Sequence, residues 1–347
     1  MSDAPALMER LGLRIPLLMA PMAGACPPAL AAAVSRAGGL GACGTVGMDA
    51  EGILSWAHEA RRLGGRFQLN TWIPEKEPEA DPDVVAAQVA FLAGHGPAPD
   101  ATAPFRGDFR EQCDAMIKAR PVAISSIMGL FPAELAERAR SAGIAVMATV
   151  TTPAEARAAR DAGAEIVVAQ GAEAGGHRGA FDQATAESRA VGGLSLIPAV
   201  ADAVDVPVVA AGGIADGRTA AAAMLLGASG VMVGTALLRA PEAETMPGWA
   251  EAIASAAPED ARLTRVFTGR AGRALSIGVA RGAEAGPPPA PFPVQGRLTA
   301  AMRAEARRTG EAHGNACWAG QSAALARAEP AERIARRIWE EARALLP

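Results

Sequence analysis

The sequence predicts a closed (β/α)8 TIM barrel, an α/β fold, and three observations carry that prediction. Short apolar runs recur eight times within the first 240 residues. Alanine-rich helical stretches lie between most successive runs. Glycine-rich turns cluster where these runs end. Alternating strand and helix patterns read as βα units on a parallel sheet. Eight such units in about 250 residues are the content of a closed barrel.

The expected strands are 16–20, 39–43, 67–71, 122–126, 145–149, 166–169, 206–211 and 230–233, each a short apolar run bounded by turn residues. Helices are expected near 28–37, 50–63, 83–93, 132–142, 153–162, 195–203 and 216–226, which leaves one more to be supplied after the last strand. Several junctions are marked locally. Thr152, Pro153 and Glu155 set a cap, a first-turn proline and a first-turn acid in sequence. Asp216 precedes a helix that stops at Gly227. Gly143 and Gly163 each close a helix just before a strand.

Two regions depart from the repeat. Residues 94–120 are a polar insertion before the fourth strand, long enough for a lid or an extra helix. From about 240 to 310 the strand pattern ceases, and a proline-rich stretch at 286–293 interrupts helical segments. The expected organisation is therefore a barrel over 1–240, a small and mostly helical subdomain over 241–310 inserted after the eighth strand, and a closing helical segment over 311–347. In that last segment Ile334, Ile338 and Leu345 recur among arginines and glutamates, as in an amphipathic surface helix.

Composition narrows the function classes. Half of the residues are hydrophobic and 20% are charged, ample for a large core. A net charge of -4 without a basic block argues against nucleic acid as partner. No run of eighteen apolar residues occurs, and the N-terminus from Met1 and Ser2 onward lacks a basic region. Neither membrane insertion nor export is expected, which leaves the cytoplasm. The four cysteines, Cys26, Cys43, Cys113 and Cys317, are scattered without paired spacing, so neither a zinc site nor a disulfide framework is expected. Cys26 and Cys43 follow early strands and are the two that could line a pocket. Tyrosine is absent, so phenol-dependent chemistry is excluded.

The most informative stretch runs from Gln170 to Gly179, Gln-Gly-Ala-Glu-Ala-Gly-Gly-His-Arg-Gly, where the sixth strand ends. Its four glycines allow close backbone approach to a ligand. Ligands of parallel α/β folds bind at strand C-termini, which makes His177 a candidate acid or base. Glu173 and Arg178 read as supporting or solvated groups, with Glu173 a candidate for orienting the loop. Gly212 and Gly213 leave the seventh strand, and Gly234 and Thr235 leave the eighth. Exposed N–H groups at these two positions form the usual phosphate site of such barrels. Asn70 ends the third strand, Gln170 the sixth, and Met22 follows the first. A flavin mononucleotide needs this combination: a phosphate cradle, amides for the polar edge of its ring, and an apolar face. No G-x-G-x-x-G with a following acid occurs, so a Rossmann site is not indicated.

These motifs resemble those of the nitronate monooxygenase family of FMN-dependent TIM barrels, over nearly the whole length. The matching parts are Ala20-Pro-Met-Ala-Gly24, Gly38-Gly-Leu-Gly41, Phe67-Gln-Leu-Asn70, the 170–179 loop, Ala211-Gly-Gly-Ile214, Val233-Gly-Thr235 and Cys317-Trp-Ala-Gly-Gln-Ser322. The resemblance implies that Gln170, Gly175, Gly212, Gly213, Met232, Val233, Gly234 and Thr235 hold FMN, with Asn70 in contact and Met22 against the ring. It implies that His177 is the base for neutral nitroalkanes and a partner for the nitro group of nitronates. The implied activity is oxidative denitrification of alkyl nitronates such as propionate 3-nitronate with O2, a detoxification, by a monomer or homodimer.

One departure concerns the substrate. The family pocket is lined by tyrosines, and this chain has Phe292 where one is expected, with Arg270, Arg273 and Arg303 as candidates to compensate. Two alternatives remain at this stage. One is an NAD(P)H-dependent flavin reductase acting on a quinone or an enoyl thioester. The more remote one is a sugar-phosphate-binding barrel without flavin.

Overall fold

The computed structural model describes residues 3–102 and 107–347. Eight parallel strands form the barrel: β1 (Leu17–Met19), β2 (Gly41–Gly44), β3 (Phe67–Trp72), β4 (Ala123–Ile127), β5 (Ala145–Val150), β6 (Ile166–Gln170), β8 (Val208–Ala211) and β9 (Gly230–Val233). Three further strands, β7 (Gly176–His177), β10 (Ala261–Thr264) and β11 (Gly272–Leu275), make a small separate sheet. The barrel order is β1-β9-β8-β6-β5-β4-β3-β2, and a parallel bridge from Leu18 to Leu40 closes the ring. All eight expected strands are present, with ends shifted by at most two residues.

Alternation along each strand builds two cores. In β6, Ile166 and Val168 face the barrel interior with Met147, Val209 and Met232, while Val167 and Ala169 face the helices. This is the period of two that strand geometry imposes. The helix Ala4–Leu11 was not expected from the sequence. Leu7 and Leu11, one helical turn apart, pack into the same interior cluster and plug the end opposite the site. A Cβ on Gly230 would lie 2.5 Å from Leu7 Cδ2, so this plug requires a glycine at the start of β9.

Two expectations are corrected. The helix anticipated at 83–93 forms at Pro82–Leu92, but it is not a barrel helix: Val84, Val85 and Leu92 pack with Val266, Phe267 and Leu298. The place between β3 and β4 belongs to Phe109–Lys118, whose Cys113, Ala115 and Met116 join the outer core with Ile53 and Trp56. Apolar periodicity identifies a helix without naming its partner. Within the anticipated insertion, residues 103–106 lie outside the described residues, as do Met1 and Ser2 of the N-terminal reading.

Secondly, strand structure does not cease at 240. β10 pairs antiparallel with β11, which pairs antiparallel with β7. Ala-Arg-Leu-Thr and Gly-Arg-Ala-Leu carry arginines and no continuous apolar run, so they lack the signature of a parallel barrel strand. Helices Pro247–Ser255, Gly278–Gly282, Val294–Leu298 and Ala300–Thr309 fill the rest of this region. The closing helix Ala331–Leu345 buries Ile334, Ala335, Ile338 and Ala342 against the helices Pro28–Ala37 and Gly217–Leu225. Leu345, counted on that face from the sequence, is exposed at the helix end. Among the described residues no helix is long and apolar enough to cross a membrane, and no group of three or more His, Cys, Asp or Glu is arranged to hold a metal.

Candidate active site

A single cavity lies at the C-terminal ends of the barrel strands. It is lined by Met22 after β1, Asn70 and Trp72 of β3, Gln170 of β6, Gly175, Gly176 and His177, Gly212 and Gly213 after β8, and Met232, Gly234 and Thr235 at β9. Thr268, Arg303, Trp318 and Ser322 line it from the C-terminal part of the chain. Every expected site residue is in this lining except Val233. Its side chain points into the layer between strands and helices, because Met232 takes the inward position.

The cradle is built from backbone. Gly212 and Gly213 have φ of 103° and 72°, conformations that glycine adopts without strain. The N–H groups of Gly212, Gly213, Gly234 and Thr235 find no acceptor among the described residues. Thr235 also opens a short 3-10 turn, Thr235–Leu237. Free N–H groups on the last two strands suit a phosphate. The N-terminus of the helix Gly217–Leu225 is not free to join the cradle. Asp216 caps it, accepting from Thr219 N at 3.0 Å, and Glu341 accepts from Gly217 N at 3.2 Å. Two carboxylates already hold that end.

The amides are oriented by their neighbours. Asn70 Nδ2 donates to Ser125 O at 3.0 Å and to Ser125 Oγ at 2.9 Å, which leaves its carbonyl oxygen as an acceptor at the cavity. Gln170 fixes the glycine-rich loop at two points: Oε1 accepts from Gly179 N at 2.8 Å, and Nε2 donates to His177 O at 3.0 Å. One Nε2 hydrogen remains for a ligand. This donor and acceptor set, with Met22 beside it, fits a phosphorylated flavin.

Glu173 and Arg178 are fixings of the same loop. The Glu173 carboxylate accepts from Gly193 N at 2.8 and 3.0 Å, capping the helix Gly193–Ala201, and its carbonyl accepts from Gln321 N at 3.0 Å. Arg178 is fully buried and donates to Gly171 O at 2.6 Å and Gln170 O at 3.1 Å. Desolvation lowers its pKa to about 10. Cys26 and Cys43 are buried behind the cavity without lining it; Cys26 Sγ accepts from Gly44 N at 3.5 Å.

His177 sits on β7 between two indoles, with centroids 4.6 Å from Trp72 and 4.6 Å from Trp318. Its Nε2 lies 2.8 Å from Thr268 Oγ1. Burial, with the positive charges of Arg270 and Arg303, pushes its pKa down to about 3. The sequence offered His177 as a candidate acid or base; in the structure its imidazole stays neutral across the physiological range.

The three arginines differ. Arg270 pairs with Glu75 at 2.7 Å and lies over the Phe292 ring at 4.2 Å. Arg273 Nε donates to Ala172 O at 2.9 Å and serves the backbone. Arg303 alone of the three lines the cavity. Its Nε and Nη2 donate to Thr299 Oγ1 at 3.2 Å and Gly296 O at 3.1 Å, and no carboxylate pairs with it among the described residues. Burial lowers its pKa to about 10, so it remains a cation.

Sequence reasoning missed Trp72, Thr268 and Trp318 as lining groups. Trp72 carried a usable signal, standing two residues beyond Asn70 and so on the same strand face. Trp318 and Ser322 lay within a quoted motif without an assigned role. Thr268 had no signal at all.

The chain is similar to known proteins over nearly its whole length. The model of the nitronate monooxygenase family matches residues 4–341. Nitronate monooxygenases of Paraburkholderia phytofirmans and Pseudomonas aeruginosa are 36% and 38% identical, over 97% and 96% of this chain and 94% and 97% of theirs. The crystal structure of nitroalkane oxidase from Streptomyces ansochromogenes superposes with a TM-score of 0.89 at 35% identity, covering 98% of this chain and all of that one. FabK from Thermotoga maritima gives 0.77 at 27% identity, covering 98% and 96%.

Proposed function

The chain belongs to the nitronate monooxygenase family of oxidoreductases, and from that premise we propose that it oxidises alkyl nitronates with O2, using FMN held at the strand ends. Bound FMN would supply the electron transfer and the reaction with oxygen. The N–H groups of Gly212, Gly213, Gly234 and Thr235 would hold its phosphate, and Asn70 and Gln170 the polar edge of its ring. Residues 241–310 would serve as a cover that carries Thr268 and Arg303 over the barrel.

The observation that carries the substrate class is Arg303, a half-buried guanidinium that lines the cavity with no carboxylate partner among the described residues. A desolvated cation is costly unless an anion meets it. Burial first, and the charges of Arg270 and Arg303 after it, keep His177 neutral, so the site favours a substrate that arrives already ionised. A nitronate is such an anion; a neutral nitroalkane is not. With a pKa near 3 the imidazole is a poor match for general-base work at neutral pH. Trp72 and Trp318 flank His177 and would limit the access of water to the reacting position.

The test is oxygen consumption by the FMN-loaded protein with propionate 3-nitronate, beside parallel trials with NADH and NADPH. Consumption with the nitronate and none with the nucleotides is the expected result. Arg303→Met should raise KM for the nitronate by about tenfold to a hundredfold, the range of a lost charge-assisted hydrogen bond. Rapid nucleotide oxidation with an inert nitronate would favour the flavin reductase. A protein that stays colourless after FMN addition would favour the flavin-free barrel.

A further inference from the structure

We propose that Thr268 is a positioning residue that fixes the tautomer of His177, so that the imidazole presents Nδ1–H, and no free lone pair, to the substrate. The two residues are 91 apart in the chain and meet through the small sheet. His177 registers with Gly272 across β7 and β11, and Arg178 N donates to Ala271 O at 2.9 Å. The turn at 265–270 holds Thr268 in place. Thr268 N and Gly269 N both donate to Arg265 O, at 3.3 and 2.7 Å. Gly269, at φ 82°, lies so close to the next segment that a Cβ would stand 2.4 Å from Phe292 N. Thr268 itself is buried.

Counting hydrogens decides the tautomer. A threonine hydroxyl has one hydrogen to give and two lone pairs to offer. Arg270 N donates to Thr268 Oγ1 at 3.3 Å, in the local turn that threonine forms with the residue two further on. For the hydroxyl hydrogen two acceptors are in reach among the described residues: His177 Nε2 at 2.8 Å and Arg270 O at 3.5 Å. The second lies beyond the ordinary range of an O–H···O bond. Were the ring hydrogen on Nε2, the buried hydroxyl would be left with that long contact alone. With the ring hydrogen on Nδ1, Nε2 accepts from Thr268 and each group is satisfied.

The remaining nitrogen then faces the ligand. Nδ1 has no acceptor among the described residues and is not an enclosed orphan, while His177 lines the cavity. It is a fixed donor aimed where negative charge arrives, in line with Arg303 on the same cavity. In this form the ring offers no lone pair to a C–H proton, so it binds a preformed anion and does not make one. The role toward substrate rests on the proposed nitronate reading; the tautomer does not.

The experiment is long-range 1H–15N NMR on the 15N-histidine-labelled protein, with His177→Gln identifying the ring signals. Thr268→Val and Thr268→Ser are compared with the native chain, together with KM and kcat for propionate 3-nitronate. The expected result is a protonated Nδ1 and unprotonated Nε2 in the native protein and in Thr268→Ser. Thr268→Val should shift the proton toward Nε2 and raise KM by about tenfold, with Thr268→Ser restoring it. A native proton on Nε2, or a tautomer unmoved by Thr268→Val, overturns the assignment. The expected tautomer in a protein that consumes no nitronate would uphold Thr268 and overturn the proposed substrate; turnover with the proton on Nε2 would do the reverse.

Discussion

At the residue scale the site is defined by what has no partner. Among the described residues Arg303 is a cation without a carboxylate, and the N–H groups around Gly212 and Thr235 lack acceptors, whereas Glu173, Arg178 and Gln170 are committed to the loop that carries His177. The shift at His177 also makes a stability prediction. Its folded pKa, about 3, lies below the ordinary 6.5, so between these values the unfolded chain binds the proton and the folded one does not. Its contribution therefore favours folding increasingly as pH rises through that window. On acidification of the cofactor-free protein from pH 6.5, this group should remove up to about 1.4 kcal/mol of stability per pH unit. Urea titrations at several pH values should show that His177→Gln lacks this part of the slope; an unchanged slope would mean that His177 is protonated in the fold. Sequence alone singled out His177 as the candidate acid or base. It could not give its basicity, because Trp72, Trp318, Arg270 and Arg303 come from distant parts of the chain.

At the element scale, helix packing depends on how near two backbones come. Gly217 begins a helix where a Cβ would stand 2.2 Å from Glu341 Cβ and 2.7 Å from Ala342 N of the closing helix. Replacing glycine by alanine in an open helix would gain up to about 1 kcal/mol of propensity. Here the clash involves backbone, and overpacking typically costs about 1–3 kcal/mol. Gly217→Ala should therefore lower stability, read as a fall in the denaturant midpoint; a rise would show that the closing helix shifts freely. The barrel strands were legible because burial on both faces writes continuous apolar runs into the sequence. β10 and β11 were not: Arg262 is exposed on β10, and on the buried β11 Arg273 is satisfied by backbone carbonyls, so neither strand carries a continuous apolar run. Pro82–Leu92 was legible as a helix, but its place was not.

At the scale of the whole molecule, the barrel is a stable frame whose cavity is completed from the other end of the chain. A ligand that binds only the folded form stabilises it by mass action, about 2.7 kcal/mol at one hundred times its dissociation constant. FMN should raise the melting temperature in a concentration-dependent way, and the rise should shrink in Gly212→Val, where a Cβ would stand 3.0 Å from Ala174 N and φ is 103°. A melting temperature indifferent to FMN would remove the cradle from these loops. The sequence by itself determined the barrel, the glycine cradle and the histidine loop, because strand periodicity, turn chemistry and backbone permissiveness are local properties written in neighbouring residues. Only the tertiary structure decided the tryptophan flanks, the place of Arg303 in the cavity lining and the Thr268 contact. The Thr268 contact depends on β11 laying residues near 270 against residues near 177, and no local pattern encodes a contact across 91 positions.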